Sequence, residues 1–470
     1  MNSAVDGVVD LNREERITSS LVDLCGEGEV DYSDIFLQAS CGHSASFENG
    51  SLEELSSGIT WGCGARCVSG DHVILSHYPS VMGDEVHRCL ADAASKCHLS
   101  LPQLDLGSAP LLELSDTERG LSLGGLDFLY DIDRRVRGAS ALIRQVTLRY
   151  RASLVRVAIF RGDGVVRFDR RWRTLFAADV VTEKEGLLQR GYEVKASAEP
   201  IDQFWSHVEP LAVAMTAAQR ALLMLDASPC PAGRMPVILA GEAGGTMVHE
   251  ACGHGLEADS VQKDYSIYRN RLGTAVASPL VTLVDDATLK GAFGSYEVDD
   301  EGTLAERSVL IENGVLKCYL TDILSAKKGG LPLTGNGRRE SYRHVPIPRM
   351  SNTFILPGNC SFSEIVGQAR HGLLVKRMGG GEVNPTSGDF VFHVAEGYLV
   401  EDGSLSPVRG AILAGNGPQA LKDVLAVGDD LHFEPGVCGK SGQGVPVTDG
   451  QPTLLIRELT VGGSDTDHGF

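Results

Sequence analysis

The chain has 470 residues, too many for one compact core, so two or more domains are expected. Hydrophobic residues at 43% and charged residues at 22% describe an ordinary globular composition, and a net charge of −20 argues against a nucleic-acid-binding surface as the main role. No apolar run approaches the roughly 20 residues of a membrane-spanning helix, residues 1–15 lack a signal-peptide pattern, and eleven scattered cysteines suggest free thiols in a reducing, cytoplasmic compartment.

Residues 32–38 and 44–53 have the alternation of strands, and 58–67 and 71–77 continue with β-rich sequence punctuated by glycine. Helical spacing of apolar residues predicts an amphipathic helix over 84–97, and 116–144 reads as mostly helical. Residues 145–176 alternate like a meander, with Gly162-Asp163-Gly164 as a turn between two strands. Residues 200–227 have helical periodicity, and Ser228-Pro229-Cys230-Pro231-Ala232-Gly233 then breaks any helix. The domain boundary is placed there. It gives a mixed α/β N-terminal domain over 1–228 and a β-rich C-terminal domain over 229–470, an α+β chain overall. Beyond the boundary, 235–240 is a short buried-type strand leading into Gly244-Gly245. Later strands are predicted at 280–284, 309–319, 353–356, 388–400 and 452–461, with one good helix over 360–370. Gly379-Gly380-Gly381 and Gly415-Asn416-Gly417 lack the strand–helix context of a phosphate loop, so nucleotide binding is discounted.

The most informative stretch is His249-Glu250-Ala251-Cys252-Gly253-His254, followed by Gly255-Leu256-Glu257-Ala258-Asp259. Two imidazoles flanking a carboxylate form the grouping that zinc hydrolases use, the imidazoles as ligands and the carboxylate as base. In H-E-x-x-H the histidines stand four apart on one helix face. Here they are five apart, about 140° in azimuth on an ideal helix. Both reach one ion only if the helix deforms or ends between them, and Gly253 and Gly255 tolerate backbone conformations that other residues resist. The plain alternative is a pair of helix-surface histidines. A catalytic zinc site needs a third protein ligand. Taken from the residues alone, Glu257 is the most obvious supplier and Cys252 a second. Cys438, in the glycine-flanked Gly436-Val437-Cys438-Gly439-Lys440, is a third, where Lys440 would favour the thiolate. Most of the eleven cysteines are expected to be small buried hydrophobes.

HEACGHGLEAD, GNGRRESYRHVPIPRMSNTF (335–354) and CGKSGQGVPVTDGQPTLLIRELTVGG (438–463) together resemble the TldD branch of the TldD/PmbA metallopeptidases. GSYEVDDEG (294–302) and SGDFVFHVAEGYLVEDG (387–403) fit the same family. The similarity runs over nearly the whole chain and is densest in the C-terminal half. It implies zinc (Zn2+) held by His249, His254 and Cys438, with Glu250 as general base, and it leaves Glu257 and Asp259 as candidates to contact the ligand imidazoles. Arg338, Arg339, Arg343 and His344 become candidates to bind a substrate carboxylate or the oxyanion. Their plain alternative is a charged loop of ordinary salt bridges.

The resemblance further implies a β-rich C-terminal domain carrying the zinc in an enclosed cavity, and cleavage of peptide bonds in short or unfolded polypeptides. It implies a dimer with a PmbA/TldE-type subunit that lacks the metal motif, a homodimer being the other arrangement, without direct nucleic-acid or membrane contact. Two competing expectations stand beside it: a non-catalytic adaptor of the gyrase-modulator kind, and a zinc-dependent amidase acting on small molecules.

Overall fold

The computed structural model describes residues 11–26, 30–120, 123–384 and 386–463. Most of the stretch read for a signal peptide, and residues 121–122 of the expected helix 116–144, lie outside these.

Six long strands build the first sheet: β1 (Tyr32–Glu48), β2 (Ser51–Ser69), β3 (His72–Tyr78), β4 (Ile143–Arg161), β5 (Val166–Lys184) and β6 (Leu187–Ser197). Their spatial order is β3-β2-β1-β4-β5-β6, with every neighbouring pair antiparallel. The single strand expected over 44–53 is instead a hairpin, because Asn49 and Gly50 take φ of 50° and 84° and turn the chain between β1 and β2. Asn-Gly is the strongest short-range signal for such a turn. Residues 145–176 form β4, a turn and β5, as their alternation implies.

Alternation decides which face of the sheet meets what. Ile35, Leu37, Ala39, Cys41, Ala45 and Phe47 are buried on one face, against helices that include Gly83–Lys96 and Pro210–Asp226. The second helix comes so close to β6 that a Cβ at Gly191 would stand 1.9 Å from the Ala217 carbonyl oxygen. Phe36, Val157 and Ile159 point the other way and pack on Val298 and Tyr342 of the C-terminal half. Residues 116–144 are less helical than their composition suggests: helix occupies only Asp116–Arg119 and Asp127–Ala139, and Gly124 between them has φ of 75°. Residues 200–227 likewise split into Ile201–His207 and Pro210–Asp226, bent by 57°, since the residue before a proline avoids helical geometry. No single helix among the described residues is long and apolar enough to cross a membrane.

Beyond residue 228 the chain forms two further large sheets. One centres on Gly233–Leu239 and Leu454–Gly462, and Ser228–Pro229 already pairs with Val408 and Arg409 at its margin. The other runs, in spatial order, Val315–Leu316, Arg307–Glu312, Leu283–Asp286, Asn352–Ile355, Gln443–Gln451, His432–Lys440. The strand expected over 309–319 is a hairpin for the same reason as before, with Asn313 and Gly314 at φ of 48° and 83°. The H-E-x-x-x-H segment lies between the sheets, where Met247, Val248, Cys252 and Leu256 join a core that also contains Leu239, Leu283, Val445 and Ile456.

Candidate metal centre

Gly244 and Gly245 lead into the motif with φ of 84° and 65°. Neither could carry a side chain: a Cβ at Gly244 would stand 2.8 Å from Glu434, and one at Gly245 2.7 Å from the Gly450 backbone. Their bareness brings the start of the helix onto the hairpin formed by His432–Lys440 and Gln443–Gln451. A short helix at Thr246–Val248 then widens over His249–Gly253 into a π-turn, in which the His254 N–H donates to the His249 carbonyl five residues back. The extra residue in this turn rotates the second imidazole toward the first, so the wide spacing becomes compatible with one site. The rings stand 5.1 Å apart at 89°.

Gly253 plays a different part from the one expected. Its φ of −56° and ψ of −52° are ordinary helical values. What the position needs is space, because a Cβ there would lie 2.0 Å from the Met350 sulfur.

Cys438 enters from the edge strand of the hairpin, 184 residues along the chain from His254, and its Sγ lies 3.4 Å from His254 Nε2. The donor atoms of His249, His254 and Cys438 all lie within 4.8 Å of one another. A tetrahedral site with bonds of about 2.0–2.3 Å has edges of roughly 3.5 Å, so the contact between Cys438 and His254 already has that length. Carboxylates occupy the far nitrogens: Asp449 Oδ1 is 2.6 Å from His249 Nδ1, and Glu257 Oε2 is 3.0 Å from His254 Nδ1. That leaves both Nε2 atoms for an ion. Burial alone would raise the Cys438 thiol, but hydrogen bonds from the two imidazoles outweigh it and bring the group down to about 5. Two imidazoles and a thiolate, nearly all buried, are a donor set suited to zinc or a similarly soft divalent metal.

The competing third ligands fall elsewhere. Glu257 is fully buried, and Lys440 Nζ approaches it at 3.0 Å while also meeting Asp259 at 2.6 Å. Burial would raise the Glu257 carboxyl, yet His254 and Lys440 hold it down to about 2. Lys440 therefore acts on the carboxylates behind His254, not on the thiol as its position in the sequence suggests. Cys252 faces the core beside Tyr268, where burial pushes it up to about 12. Glu250 is half-exposed, and its Oε2 lies 4.0 Å from His254 Nε2.

The segment 335–344 does not turn its arginines toward the three donors. Arg338 is buried and donates to the carbonyls of Met350 and Pro446; Arg339 is buried and donates to the Asp300 carbonyl at 2.9 Å. Each guanidinium also lies over a ring, Tyr296 and Phe36 respectively. Arg343 bonds Tyr342 and His344 bonds Ser341. Two groups at the site went unread in the sequence. Asp449 is a lone acid in a turn-like Thr-Asp-Gly, and only strand register reveals its place. Arg349, fully buried, donates to the Cys438 carbonyl and holds the hairpin from behind; no pattern in the sequence marks it.

Family models for the PmbA/TldA metallopeptidases match this chain in three parts: domain 1 over residues 33–97, the central domain over 121–225 and the C-terminal domain over 232–463. A metalloprotease TldD homologue of Haemophilus influenzae is 34% identical over 467 residues, covering 95% of this chain and 96% of its own. A second, from Buchnera aphidicola of Schizaphis graminum, is 33% identical over 470 residues, covering 95% and 96%. A zinc metalloprotease TldD homologue of Saccharolobus solfataricus is 35% identical over 247 residues, 52% of this chain and 55% of that one. Among solved structures, a candidate modulator of a DNA gyrase from Thermotoga maritima superposes with a TM-score of 0.77 at 21% identity, covering 95% of this chain and all of that one. TldE of Thermococcus kodakarensis does so at 0.75 and 20%, covering 95% and 99%. These two share the fold. The class that the sequence relatives define is that of the metallopeptidases. Within it, the chain belongs to the PmbA/TldD family.

Proposed function

We propose that the chain is a zinc-dependent peptidase that hydrolyses peptide bonds in short or unfolded polypeptides, in the cytoplasm and in complex with a TldE-type subunit. The observation that carries this reading is the convergence of His249, His254 and Cys438 within 4.8 Å, beside the carboxylate of Glu250. The zinc name carried by the Saccharolobus relative supports the choice of metal, and the TldE fold of a structural neighbour supports the choice of partner. We assign the metal to a C-terminal domain beginning near residue 229.

His249, His254 and Cys438 would hold the ion. When bound, zinc supplies Lewis acidity, polarising a scissile carbonyl and making a water easier to deprotonate near pH 7. Asp449 and Glu257 keep each imidazole in one tautomer and one orientation. Lys440 balances the charge of Glu257, so that carboxylate stays anionic while buried. Glu250 is exposed enough to meet a substrate and sits beside the donors. It accepts the proton of the attacking water and returns it to the leaving amine.

Mass spectrometry of the products from an unstructured protein tests this, with the chain alone, the chain plus a TldE-type subunit, and chelator-treated samples. Glu250→Gln should retain one metal per chain and lose about 10²–10⁴-fold in cleavage rate. Cys438→Ser should lose the metal on dialysis. Full metal occupancy in Cys438→Ser, or near-normal cleavage by Glu250→Gln, would remove the corresponding assignment. A small-molecule amidase would cleave short amides in the same samples and leave the unstructured protein intact.

A further inference from the structure

Pro348, Arg349 and Met350 touch both halves of the candidate metal centre. The Pro348 carbonyl accepts a bond from the Lys440 ammonium at 3.1 Å. Arg349 reaches the hairpin, where its Nη2 donates to the Cys438 carbonyl at 2.5 Å and its Nη1 to the Gln443 carbonyl at 3.2 Å. Cys438 lies on one strand of that hairpin and Gln443 on the other, so one planar guanidinium joins the two. Met350 reaches the opposite way. Its sulfur fills the space that a Cβ at Gly253 would need, one residue before His254.

The segment is itself tightly held. The Arg349 N–H donates to the Asn336 carbonyl at 3.0 Å, and Asn336 Nδ2 returns a bond to the Arg349 carbonyl at 3.0 Å. Arg338 ties the Met350 carbonyl to that of Pro446, on the second strand of the hairpin. Cys438 has less support of its own. His432–Lys440 is the last strand of its sheet, so among the described residues no strand lies on its outer side. The sulfur stays beside the imidazoles only if something fixes the strand from within.

Charge gives a second reason to single out Arg349. The residue is fully buried, its Nε has no hydrogen-bond partner, and no carboxylate pairs with it among the described residues. A desolvated cation is costly without an opposing charge. The charge it stands to meet is that of the Cys438 thiolate, whose own carbonyl the guanidinium holds. A thiolate gives a metal more electron density than a neutral imidazole does. A cation fixed to the same residue draws part of that density back.

We propose that Arg349 is the positioning residue of the thiolate ligand: it fixes the Cys438 sulfur relative to His249 and His254 and balances its charge, so that an ion is held by three donors and not two. Met350 sets the matching distance on the histidine side, and the backbone between the two residues is the spacer. The inference rests on the ligand set proposed above and is independent of peptide hydrolysis.

Cobalt(II) loaded into the full chain reads the thiolate directly, because sulfur on cobalt gives an intense near-ultraviolet charge-transfer band that imidazoles do not give. Wild type should show this band. Arg349→Met should keep the weaker visible bands of the cobalt ion, lose most of the charge-transfer intensity, and bind zinc about 10–100-fold more weakly in competition with a chelator. Arg349→Lys keeps the charge but cannot span two carbonyls as a fork, so it should fall between. Urea unfolding of the metal-free proteins separates out packing: a merely structural role would lower that stability and leave band and affinity as in wild type. Wild-type band and affinity in a folded Arg349→Met would overturn the proposal. If that variant does not fold, Arg349→Lys decides: a weaker band and lower affinity support the proposal, and wild-type values overturn it. A wild type without the band would fault Cys438 as a ligand, and the proposal would fall with it.

Discussion

Asp449 decides which nitrogen of His249 is free. Its carboxylate sits on Nδ1 at 2.6 Å from a strand 200 residues downstream, and the ring can then present only Nε2 to an ion. Asp449→Asn keeps the shape and an acceptor oxygen but loses the charge that makes the imidazole a stronger donor. We expect zinc affinity to fall by about 10–100-fold, read by competition with a chromophoric chelator, with little change in thermal stability. Unchanged affinity would show that orientation of His249 comes from packing alone. The contrast with Glu257 is instructive about what a sequence exposes. Glu257 lies three residues from His254 and is conspicuous from the outset, as a ligand candidate by the residues alone and as a contact to a ligand imidazole by the resemblance, which is the place it takes beside His254 Nδ1. Asp449 and Arg349 gain their places only when Gly244 and Gly245 let the motif settle on the hairpin, and no local pattern carries that information. The arginines of 335–344 show the opposite case: their charge density suggests a binding surface, while Arg338 spends its donors on the carbonyls of Met350 and Pro446, and Arg339 is buried with one bond to the Asp300 carbonyl.

The π-turn is the local device that reconciles five-residue spacing with a single site, and it depends on an absence at Gly253. Met350 is fully buried, so its sulfur can retreat from a methyl placed 2.0 Å away only by displacing the core packed around it. Gly253→Ala should cost about 1–3 kcal/mol in urea unfolding and reduce metal content, even though alanine is the better helix former. Met350→Ala leaves a cavity and is destabilising by itself, but in the double variant the two losses should sum to less than the single variants predict, because the two positions share one volume. If Gly253→Ala were as stable as wild type, the steric account of this glycine would fail. Elements elsewhere were legible in proportion to their periodicity. The amphipathic helix at Gly83–Lys96 and the β4–β5 hairpin follow directly from spacing. The differences at 44–53 and 309–319 share a cause: in each an Asn-Gly pair at positive φ folds one apparent strand into two, and the alternation runs on through the turn on both sides.

The first sheet and the C-terminal half meet through charge as well as through Phe36 and Tyr342. Arg66 and Asp34 are buried, with Arg66 Nε donating to Asp34 at 2.8 Å, and Arg66 also reaches Glu301 at 2.7 Å. Glu301 comes from the loop that carries Asp299 and Asp300, so this contact ties the two halves together at the cost of burying several acids near one another. Burial raises the Glu301 carboxyl first and most; Arg66 opposes this, while Asp322 and Asp299 add to it, and the group stands at about 8 against an ordinary 4.5. An acid whose folded value lies above its unfolded one stabilises the fold by keeping its proton. Its contribution is complete below about pH 4.5 and is lost progressively as the pH rises through about 8. The melting temperature should therefore fall between pH 5 and pH 9 by an amount that Glu301→Gln removes: the amide has no proton to lose, and with its oxygen on the Ile323 N–H its NH2 faces Arg66, a cost that is the same at every pH. Differential scanning calorimetry across that window distinguishes the cases. A variant whose melting temperature rises relative to wild type from pH 5 to pH 9 supports the account, and parallel curves for the two proteins would show that the junction between the halves does not titrate through Glu301.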